Sequence, residues 1–115
     1  MIRKSNEMQS EVRNDMRGGK GAVTIRHYFK QEEIKAKCRL CSKLTLPPGA
    51  SIGMHKHETE DELFIIESGK GIVDTGREKI KVDAGDAVLT GNGEEHALIN
   101  AGNEPLEVIA IIMCY

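Results

Sequence analysis

The chain has 115 residues, which is enough for one domain with a buried core and no need of disulfides. Its 16 Lys and Arg against 18 Asp and Glu give a net charge of −2, which does not favour nucleic acid as a partner. Because the sequence lacks both an apolar run of membrane-spanning length and a signal-peptide core, we expect a cytoplasmic protein with no membrane partner.

The first 21 residues are interpreted as an N-terminal arm. Residues 1–14 are polar, with a weak signal for a short helix that starts at Ser5. Residues 17–21 are glycine-rich and basic but lack the spacing of a phosphate-binding loop, so we predict a mobile turn. Residues 1–43 carry 11 basic and 5 acidic side chains, and residues 44–115 carry 5 and 13. The two halves could therefore attract each other within a chain or across a dimer.

Short strands dominate the rest of the pattern. Residues 22–29 are rich in β-branched and aromatic side chains and residues 39–46 alternate, so both predict strands. Residues 31–37 predict a helical turn or a loop. Further short strands are predicted at residues 72–74, 79–82, 87–90, 97–100 and 106–113. Turn signals about every 8–12 residues are typical of an all-β sandwich or barrel. The last strand is apolar on both faces, which predicts burial on both sides.

Two residue sets with potential chemistry are interpreted as structural. Cys38 and Cys41 have the spacing of a redox or zinc pair, but neither a strand-to-helix turn nor a second pair accompanies them. With Cys114 they make an odd number in a reducing compartment, so we expect free thiols. His27 lies in the first predicted strand, and no residue of a metal-ligand type nearby shares its face of that strand, so His27 is interpreted as structural.

The chemistry concentrates in residues 49–69. His55 and His57 are two residues apart, so on a strand their side chains share a face, with Cα atoms about 6.6 Å apart. Glu62 lies an odd number of residues after His57, so on the same strand its side chain would point to the opposite face. The chain must therefore turn back at a polar bend before Glu62, which predicts a hairpin with its ligands facing inward. The rest of the acidic run is interpreted as a solvated loop: Glu58, Glu60 and Asp61.

A third histidine follows the same local pattern. His96 comes after a glycine turn, a short strand and a glycine-rich bend. Together with His55, His57 and Glu62 it makes a set of three imidazoles and one carboxylate that can bind one divalent metal ion and leave positions open for a ligand. Such a set suits Mn(II), Fe(II), Co(II), Ni(II) or Zn(II) and does not choose among them.

The spacing of these residues resembles that of a known family, the cupins. Residues 49–69 resemble the first cupin motif in their spacing: Gly49, five residues, His55-x-His57, four residues, Glu62, six residues and Gly69. Residues 85–100 resemble the second cupin motif: Gly85, five residues, Gly91-x-Gly93, two residues, His96, three residues and Asn100. One difference is Gly91, which stands where the family usually has proline.

The resemblance covers about residues 40–113 and implies a fold. That fold is a double-stranded β-helix, the cupin jelly-roll barrel, which we expect as one domain over residues 1–115. By the same resemblance Asn100 is a structural residue of the second motif. Because cupins of this size usually pair, we also predict a homodimer, with the N-terminal arm as a plausible exchange element.

Function is left open, because cupins include enzymes, binding modules and storage proteins. We expect a small metalloenzyme that acts on a small oxygenated substrate, as a dioxygenase, isomerase or decarboxylase. The alternative is a non-catalytic module that binds a metal or a small ligand, or senses one. No catalytic base is identified in the sequence.

The acidic residues near the ligands predict that the site disfavours dianions. An acidic mouth would repel oxalate, and it would be formed by Glu58, Glu60, Asp61, Glu94 and Glu95. The sequence therefore predicts weak or no oxalate decarboxylation. That activity would require basic residues over the site, such as Arg17, Lys20, Arg26 or Arg39.

Overall fold

Nearly all of the regular structure is β-strand. The computed structural model describes residues 1–115, and the strands are β1 (Gln9–Asn14), β2 (Ala22–His27), β3 (Cys38–Leu46), β4 (Ser51–His57), β5 (Glu60–Ser68), β6 (Lys70–Asp74), β7 (Lys79–Asp83), β8 (Ala87–Gly91), β9 (Glu94–Asn100) and β10 (Leu106–Cys114). Short 3₁₀ helices lie at Ser5–Glu7, Met16–Gly18 and Gln31–Glu33. None of these helices is long or apolar enough to cross a membrane.

The strands form two antiparallel sheets that share one core. The larger sheet has the order β1-β2-β3-β10-β5-β8, and the smaller has the order β4-β9-β6-β7. From β3 onward the chain passes back and forth between the two sheets, which is the double-stranded β-helix. The predicted all-β fold is therefore confirmed.

Apolar residues that alternate along the strands build the core between the sheets. The predicted burial of β10 on both sides is not found, because Ile109 and Ile111 are only half-buried. In β10 every second residue is buried: Leu106, Val108, Ala110 and Ile112. Phe64 of β5 joins them from the larger sheet, and Ile52 and Leu98 join from the smaller sheet. Because a fully buried side chain of this kind contributes about 1.5–3 kcal/mol, this shared cluster holds the two sheets together.

One strand was not predicted from the sequence. Residues 9–14, interpreted as part of a polar arm, form β1, which pairs with β2 from Gln9 opposite His27 to Asn14 opposite Ala22. Every residue of β1 is exposed. No apolar alternation therefore marks this strand in the sequence, and its backbone pairing with β2 is what defines it. The weak helix signal at Ser5 corresponds to the single turn Ser5–Glu7.

The prediction that the two strands of residues 49–69 form a hairpin is wrong. Strand β4 pairs with β9 in the smaller sheet, whereas β5 pairs with β10 and β8 in the larger sheet. The bend at residues 58–59 therefore carries the chain from one sheet to the other. Because the inner faces of the two sheets meet, Glu62 on β5 still reaches His55 and His57 on β4.

The turn predicted at residues 17–21 is present, but it packs directly on β4, whereas the sequence predicted a mobile turn. The backbone N–H of Ser51 donates to the Lys20 carbonyl at 2.8 Å, and the Lys20 N–H donates to Ser51 Oγ at 3.0 Å. A Cβ at Gly19 would lie 2.1 Å from the Ser51 carbonyl oxygen, and a Cβ at Gly53 would lie 2.1 Å from the Arg17 carbonyl oxygen. Both positions therefore require glycine, and the arm lies against the strand that carries His55.

Candidate metal centre

The four residues proposed as metal ligands come together between the two sheets. His55 and His57 lie on β4, His96 lies on the neighbouring β9, and Glu62 lies on β5 of the opposite sheet. Their ligand atoms all lie within 4.8 Å of one another. Three of the four residues are buried and His55 is half-buried. This group could hold a metal ion.

A β-bulge in β4 turns both histidines inward. Ile52 pairs with Leu98 and His55 pairs with His96, so three steps along β4 match two steps along β9. The extra residue reverses the side-chain alternation. As a result Ile52, His55 and His57 all face the interior, although an unbroken strand would put Ile52 on the opposite face from the two histidines. The two-residue spacing predicted the shared face of the histidines, but it did not reveal the bulge.

The nitrogens of His55 and His57 that face away from the shared centre are held by acceptors. Nδ1 of His55 lies 2.7 Å from the Gly53 carbonyl oxygen, and Nδ1 of His57 lies 2.6 Å from Oε2 of Glu60. Because a carbonyl and a carboxylate can only accept, both Nδ1 atoms carry the proton. The Nε2 lone pairs therefore point at the shared centre, which is the orientation a metal ligand needs.

His96 is held by a residue of the facing sheet. Its Nδ1 lies 2.8 Å from Oγ1 of Thr90, which is buried. Thr90 stands directly opposite Glu62 in the register of β5 and β8. The cross-strand pair of Glu62 and Thr90 thus provides one candidate ligand, Glu62, and also the residue that orients a second candidate ligand, His96.

The spacing of the inward-facing atoms fits a divalent ion. Nε2 of His96 lies 3.2 Å from Nε2 of both His55 and His57 and 2.9 Å from Oε1 of Glu62. Nε2 of His57 also lies 2.9 Å from Oε1 of Glu62. Ligand atoms that bind an ion at about 2.0–2.1 Å and at right angles lie about 3 Å apart. Since unprotonated nitrogens repel each other at this distance, a cation between them would stabilise the arrangement.

The electrostatics of the group favour an ionised carboxylate at Glu62 and a neutral imidazole at His96, but they favour the protonated form of His57. Burial raises the pKa of Glu62, but the three histidine rings that face its carboxylate outweigh burial and hold that pKa well below its ordinary value. Burial lowers the pKa of His96, against the opposing effect of Glu62. For His57 the hydrogen bond to Glu62 raises the pKa, and burial opposes it. An ionised carboxylate and a neutral imidazole are the forms that bind metal ions.

Glu60 is not the solvated loop residue that the sequence predicted. Its side chain is only 15% exposed and accepts from Nε and Nη2 of Arg39 at 2.8 and 2.7 Å, in addition to Nδ1 of His57. These hydrogen bonds, that from Arg39 above all, lower the pKa of Glu60 to about 2 although burial opposes them. The chain Arg39–Glu60–His57 therefore orients one imidazole of the group. Sequence reasoning missed it because a polar run at a bend has the composition of a surface loop.

A cavity of about 150 Å³ opens beside the ligand group. Its polar wall includes His55, His57 and Glu62, and Glu62 is the only carboxylate among the lining residues. Apolar residues from both sheets complete much of the remaining surface: Met16, Ile25, Leu40, Leu44, Ile52, Phe64 and Ile112. The cavity therefore offers a small ligand an apolar enclosure with a charged end.

The prediction that acidic residues line the mouth of the site is wrong. None of its five members lines the cavity: Glu58, Glu60, Asp61, Glu94 and Glu95. Asp61 instead accepts a hydrogen bond from the Tyr115 hydroxyl at 2.5 Å. The cavity wall carries Arg13, Arg17 and Arg39. The basic N-terminal part of the chain thus lies over the site, and the electrostatic reason for excluding a dianion no longer holds.

Other polar residues that the sequence analysis singled out hold the fold together. Asn100 is buried; its Nδ2 donates to the carbonyls of Leu46 and Glu104 at 2.8 Å each, and this confirms its structural role. His27 borders the cavity outside the ligand group, and its Nδ1 lies 2.8 Å from Ser42 Oγ. The three cysteines are unpaired: Cys38, Cys41 and Cys114.

Comparison with known families agrees with this geometry. The family model described as "Cupin domain" matches residues 42–112, a range that contains all four residues of the ligand group. The chain belongs to the cupin family. The resemblance drawn from the motif spacing, with bounds of about residues 40–113, is confirmed.

This cupin is similar over its whole length to proteins of Thermotoga maritima. It is 40% identical over 113 residues to an oxalate-binding protein of that organism, an overlap that covers 98% of this chain and 93% of the relative. A crystal structure of a predicted oxalate decarboxylase from Thermotoga maritima matches with a TM-score of 0.95 and 39% identity and covers 100% of both chains. The similarity therefore extends beyond the family motif to the arm that carries Arg13 and Arg17.

More distant cupins share only the architecture. The CENP-C cupin domain of Drosophila melanogaster matches with a TM-score of 0.73 and 16% identity, covering 96% of this cupin and 79% of that chain. At this identity the likeness shows the fold alone. The barrel therefore does not decide what this cupin binds, and the residues of its cavity must be considered for that question.

Proposed function

We propose that this cupin binds a divalent transition metal ion through His55, His57, Glu62 and His96 and uses it to hold a small dicarboxylate of the oxalate class. The observation that carries the proposal is the charge of the cavity. Three arginines line it, and the only carboxylate of its wall belongs to the ligand group. Such a wall attracts an anion towards the candidate metal site.

The donor set and the cavity complement the two ends of a dicarboxylate. A bound ion acts as a Lewis acid, and a set of three nitrogens and one oxygen leaves coordination positions for carboxylate oxygens. A guanidinium group matches the geometry of a carboxylate with two parallel hydrogen bonds. The apolar residues of the enclosure, among them Ile52, Phe64 and Ile112, favour a short ligand without bulky substituents.

The comparison with known proteins supports the same ligand class. The oxalate-binding protein of Thermotoga maritima matches this chain at 40% identity, and the overlap includes the N-terminal arm. The aligned range therefore includes the arm that supplies Arg13 and Arg17 to the cavity as well as the family motif. We therefore assign oxalate, or a dicarboxylate of similar size, as the ligand to test first.

A metalloenzyme that converts such a ligand is the second candidate. The crystal structure of a predicted oxalate decarboxylase favours it, since that chain is 39% identical over its full length. Decarboxylation, however, leaves a carbon atom that must receive a proton from an acid. The one carboxyl group of the cavity is Glu62, whose pKa is held low by the three histidines against its burial. The available groups therefore favour binding over decarboxylation.

The deciding experiment is calorimetric titration of oxalate into protein loaded with Mn²⁺ and into metal-free protein. We expect stoichiometric binding of oxalate by the loaded protein and none by the metal-free protein. Equal binding by both forms, or binding by neither, would refute the proposal. Assays for CO₂ and formate on the loaded protein test the second candidate, and turnover of about 1 s⁻¹ or faster would establish an enzyme.

We also propose that the protein is a homodimer that pairs through the outer face of the larger sheet. Ile109 and Ile111 of β10 lie on that face, and their register partners on β5 are Ile65 and Leu63. Leu89 of β8, which stands opposite Leu63, extends the apolar surface and is 63% exposed. An apolar surface that crosses adjacent strands in this way is typical of an interface.

The charges at one border of this face are compatible with its burial in a dimer. Nζ of Lys43 lies 3.0 Å from Glu67 and 3.1 Å from Glu107. Each of these three charges therefore has a partner at that border, although one ammonium group shared by two carboxylates leaves a net charge of −1. Because β1 pairs with β2 of its own chain, the proposed dimer does not need the arm exchange that the sequence made plausible.

A further inference from the structure

The three arginines of the cavity wall are not equivalent. The guanidinium of Arg39 is bound by Glu60 through two hydrogen bonds. Nη2 of Arg13 lies 3.0 Å from Oε1 of Glu11. Arg17 lines the same cavity and has no carboxylate partner. It is therefore the arginine whose hydrogen-bond donors are available to an incoming anion.

The backbone at Arg17 adopts a conformation that a non-glycine residue rarely takes. Its φ is +57°, and Asp15, two residues earlier, has φ +52°. The turn around them is closed by hydrogen bonds from Gly18 N–H to the Asp15 carbonyl at 3.0 Å and from Gly19 N–H to the Met16 carbonyl at 2.9 Å. Left-handed non-glycine residues cost free energy and cluster at functional sites.

The turn is also fixed in position relative to the ligand group. The Arg17 carbonyl oxygen lies so close to Gly53 that a Cβ there would be 2.1 Å away. The carbonyl of the same Gly53 accepts the hydrogen bond from Nδ1 of His55 at 2.7 Å. One backbone residue thus contacts the turn and orients a candidate metal ligand, so the backbone of Arg17 is held in a fixed position relative to His55.

We propose that Arg17 binds the second carboxylate of a metal-bound dicarboxylate, and that the turn of residues 15–21 sets the preference for a dianion over a monoanion. The inference rests on the proposed function, since it assigns the ligand's other end. One carboxylate lies at the ion and the other meets the free guanidinium. The positive charges of Arg39 and Arg13 are largely offset by Glu60 and Glu11, so Arg17 supplies most of the net positive charge of the wall.

The test compares oxalate with glycolate, a monoanion of similar size that can still bind a metal ion. Both are titrated calorimetrically into Mn²⁺-loaded wild-type protein, Arg17→Gln and Arg17→Lys. The matched control is Arg77→Gln, which removes the same charge from an exposed turn outside the cavity. Manganese stoichiometry and the melting temperature of each variant report on the fold and on the metal site.

We expect Arg17→Gln to weaken oxalate binding by about tenfold to a hundredfold, the range for losing hydrogen bonds to a charged group. Glycolate binding should change by no more than about twofold, and Arg17→Lys should fall between wild type and Arg17→Gln because lysine cannot form the paired contact. Arg77→Gln should bind both ligands as the wild type does, with manganese stoichiometry retained throughout.

Three results would overturn the inference, and they differ in what they say about the proposed function. If wild-type protein binds oxalate and Arg17→Gln binds it equally well, Arg17 is not the contact, while the proposed function stands. An equal loss of oxalate and glycolate binding in Arg17→Gln, with its manganese stoichiometry intact, would also reject the assignment of the second carboxylate. If loaded wild-type protein does not bind oxalate at all, the proposed function fails, and the inference fails with it.

Discussion

The carboxylate of Asp61 occupies the space that a side chain at position 91 would need. Asp61 and Gly91 stand opposite each other on β5 and β8, and a Cβ at Gly91 would lie 1.8 Å from Oδ1 of Asp61. The same oxygen accepts the hydrogen bond from the Tyr115 hydroxyl, and the Tyr115 N–H donates to the Thr59 carbonyl at 3.0 Å. Where the second cupin motif usually has proline, this chain therefore needs glycine, because the Asp61 carboxylate, held by Tyr115, fills that place.

This relationship predicts a coupled effect of two substitutions. Gly91→Ala should displace the Asp61 carboxylate and break its hydrogen bond to Tyr115, lowering the free energy of unfolding by about 1 kcal/mol. Asp61→Ala removes the nearest obstacle and leaves only the Glu60 carbonyl oxygen, 3.0 Å from the added Cβ. The double variant should therefore be only slightly less stable than Asp61→Ala alone. Urea unfolding of the metal-free proteins measures all three.

Gly102→Ala is the matched control for that cycle, since its added Cβ would meet nothing closer than 3.5 Å. It should leave stability nearly unchanged. Strictly additive losses in the double variant would show that Asp61 and position 91 do not compete for the same space.

The hydrogen bond from His57 to Glu60 predicts a change in metal affinity without a change in stoichiometry. Glu60→Ala removes the acceptor that orients the imidazole, and such supporting contacts are typically worth about tenfold to a hundredfold in affinity. Competition with a chelator measures the Mn²⁺ dissociation constant. Glu58→Ala, an exposed residue of the same bend, should retain wild-type affinity. An unchanged constant in Glu60→Ala would rule out a role for Glu60 in positioning His57.

Removal of a candidate ligand should abolish the site and leave the barrel folded. We expect His57→Ala to lose stoichiometric metal, as determined by elemental analysis, while its far-ultraviolet circular dichroism stays that of a β protein. Metal binding stabilises a folded state by about 2.7 kcal/mol at a hundredfold excess over the dissociation constant. Mn²⁺ should therefore raise the melting temperature of the wild type and not that of His57→Ala.

The control for His57→Ala is His27→Ala, which alters a histidine of the cavity outside the ligand group. This variant should keep its metal and the thermal shift. Full metal occupancy in His57→Ala would remove His57 from the ligand set.

An ion pair far from the metal centre predicts a pH dependence of stability. Arg3 donates to both carboxylate oxygens of Glu33 at 2.6 and 3.0 Å, and this lowers the pKa of Glu33 from 4.5 to about 2. A carboxyl group with a lowered pKa stabilises the folded state above its ordinary pKa, and the stabilisation is lost as the pH falls through the folded value. The contribution of Glu33 should thus be complete at pH 6 and fade towards pH 2.

The comparison of metal-free wild type with Glu33→Gln isolates this contribution. The wild type should melt at the higher temperature at pH 6, and the difference should shrink steadily between about pH 4.5 and pH 2, the range between the two pKa values. A difference that stays constant across that range would show that ionisation of Glu33 does not stabilise the fold.

The proposed dimer predicts that a charge on the outer face of the larger sheet produces monomers. Leu89→Lys would place an ammonium group in the apolar surface, where its desolvation would cost several times the thermal energy. Light scattering at micromolar concentration should report a dimer for the wild type and a monomer for Leu89→Lys. Ile80→Lys is the control, because Ile80 is 44% exposed but lies on the smaller sheet. A monomeric wild type would contradict the proposal.

The sequence by itself determined the strands that bury apolar residues and the residues of the candidate metal centre. Alternation along β3 and β10 marks a buried face because side chains on a strand point to opposite sides. The candidate metal ligands could be identified from their spacing, because the spacing within a motif determines which side chains a strand directs to its inner face: His55, His57, Glu62 and His96. β1 left no such signal, because all of its residues are exposed.

Only the tertiary structure decided how these residues meet and which charges surround them. β4 and β5 join different sheets, so the ligand group forms across the barrel instead of within one hairpin. Arg39 binds Glu60 from 21 positions away in sequence, and Arg17 reaches the cavity because its turn packs against Gly53. Contacts between distant segments depend on how the sheets pack, and the spacing of residues within one segment contains no information on that packing.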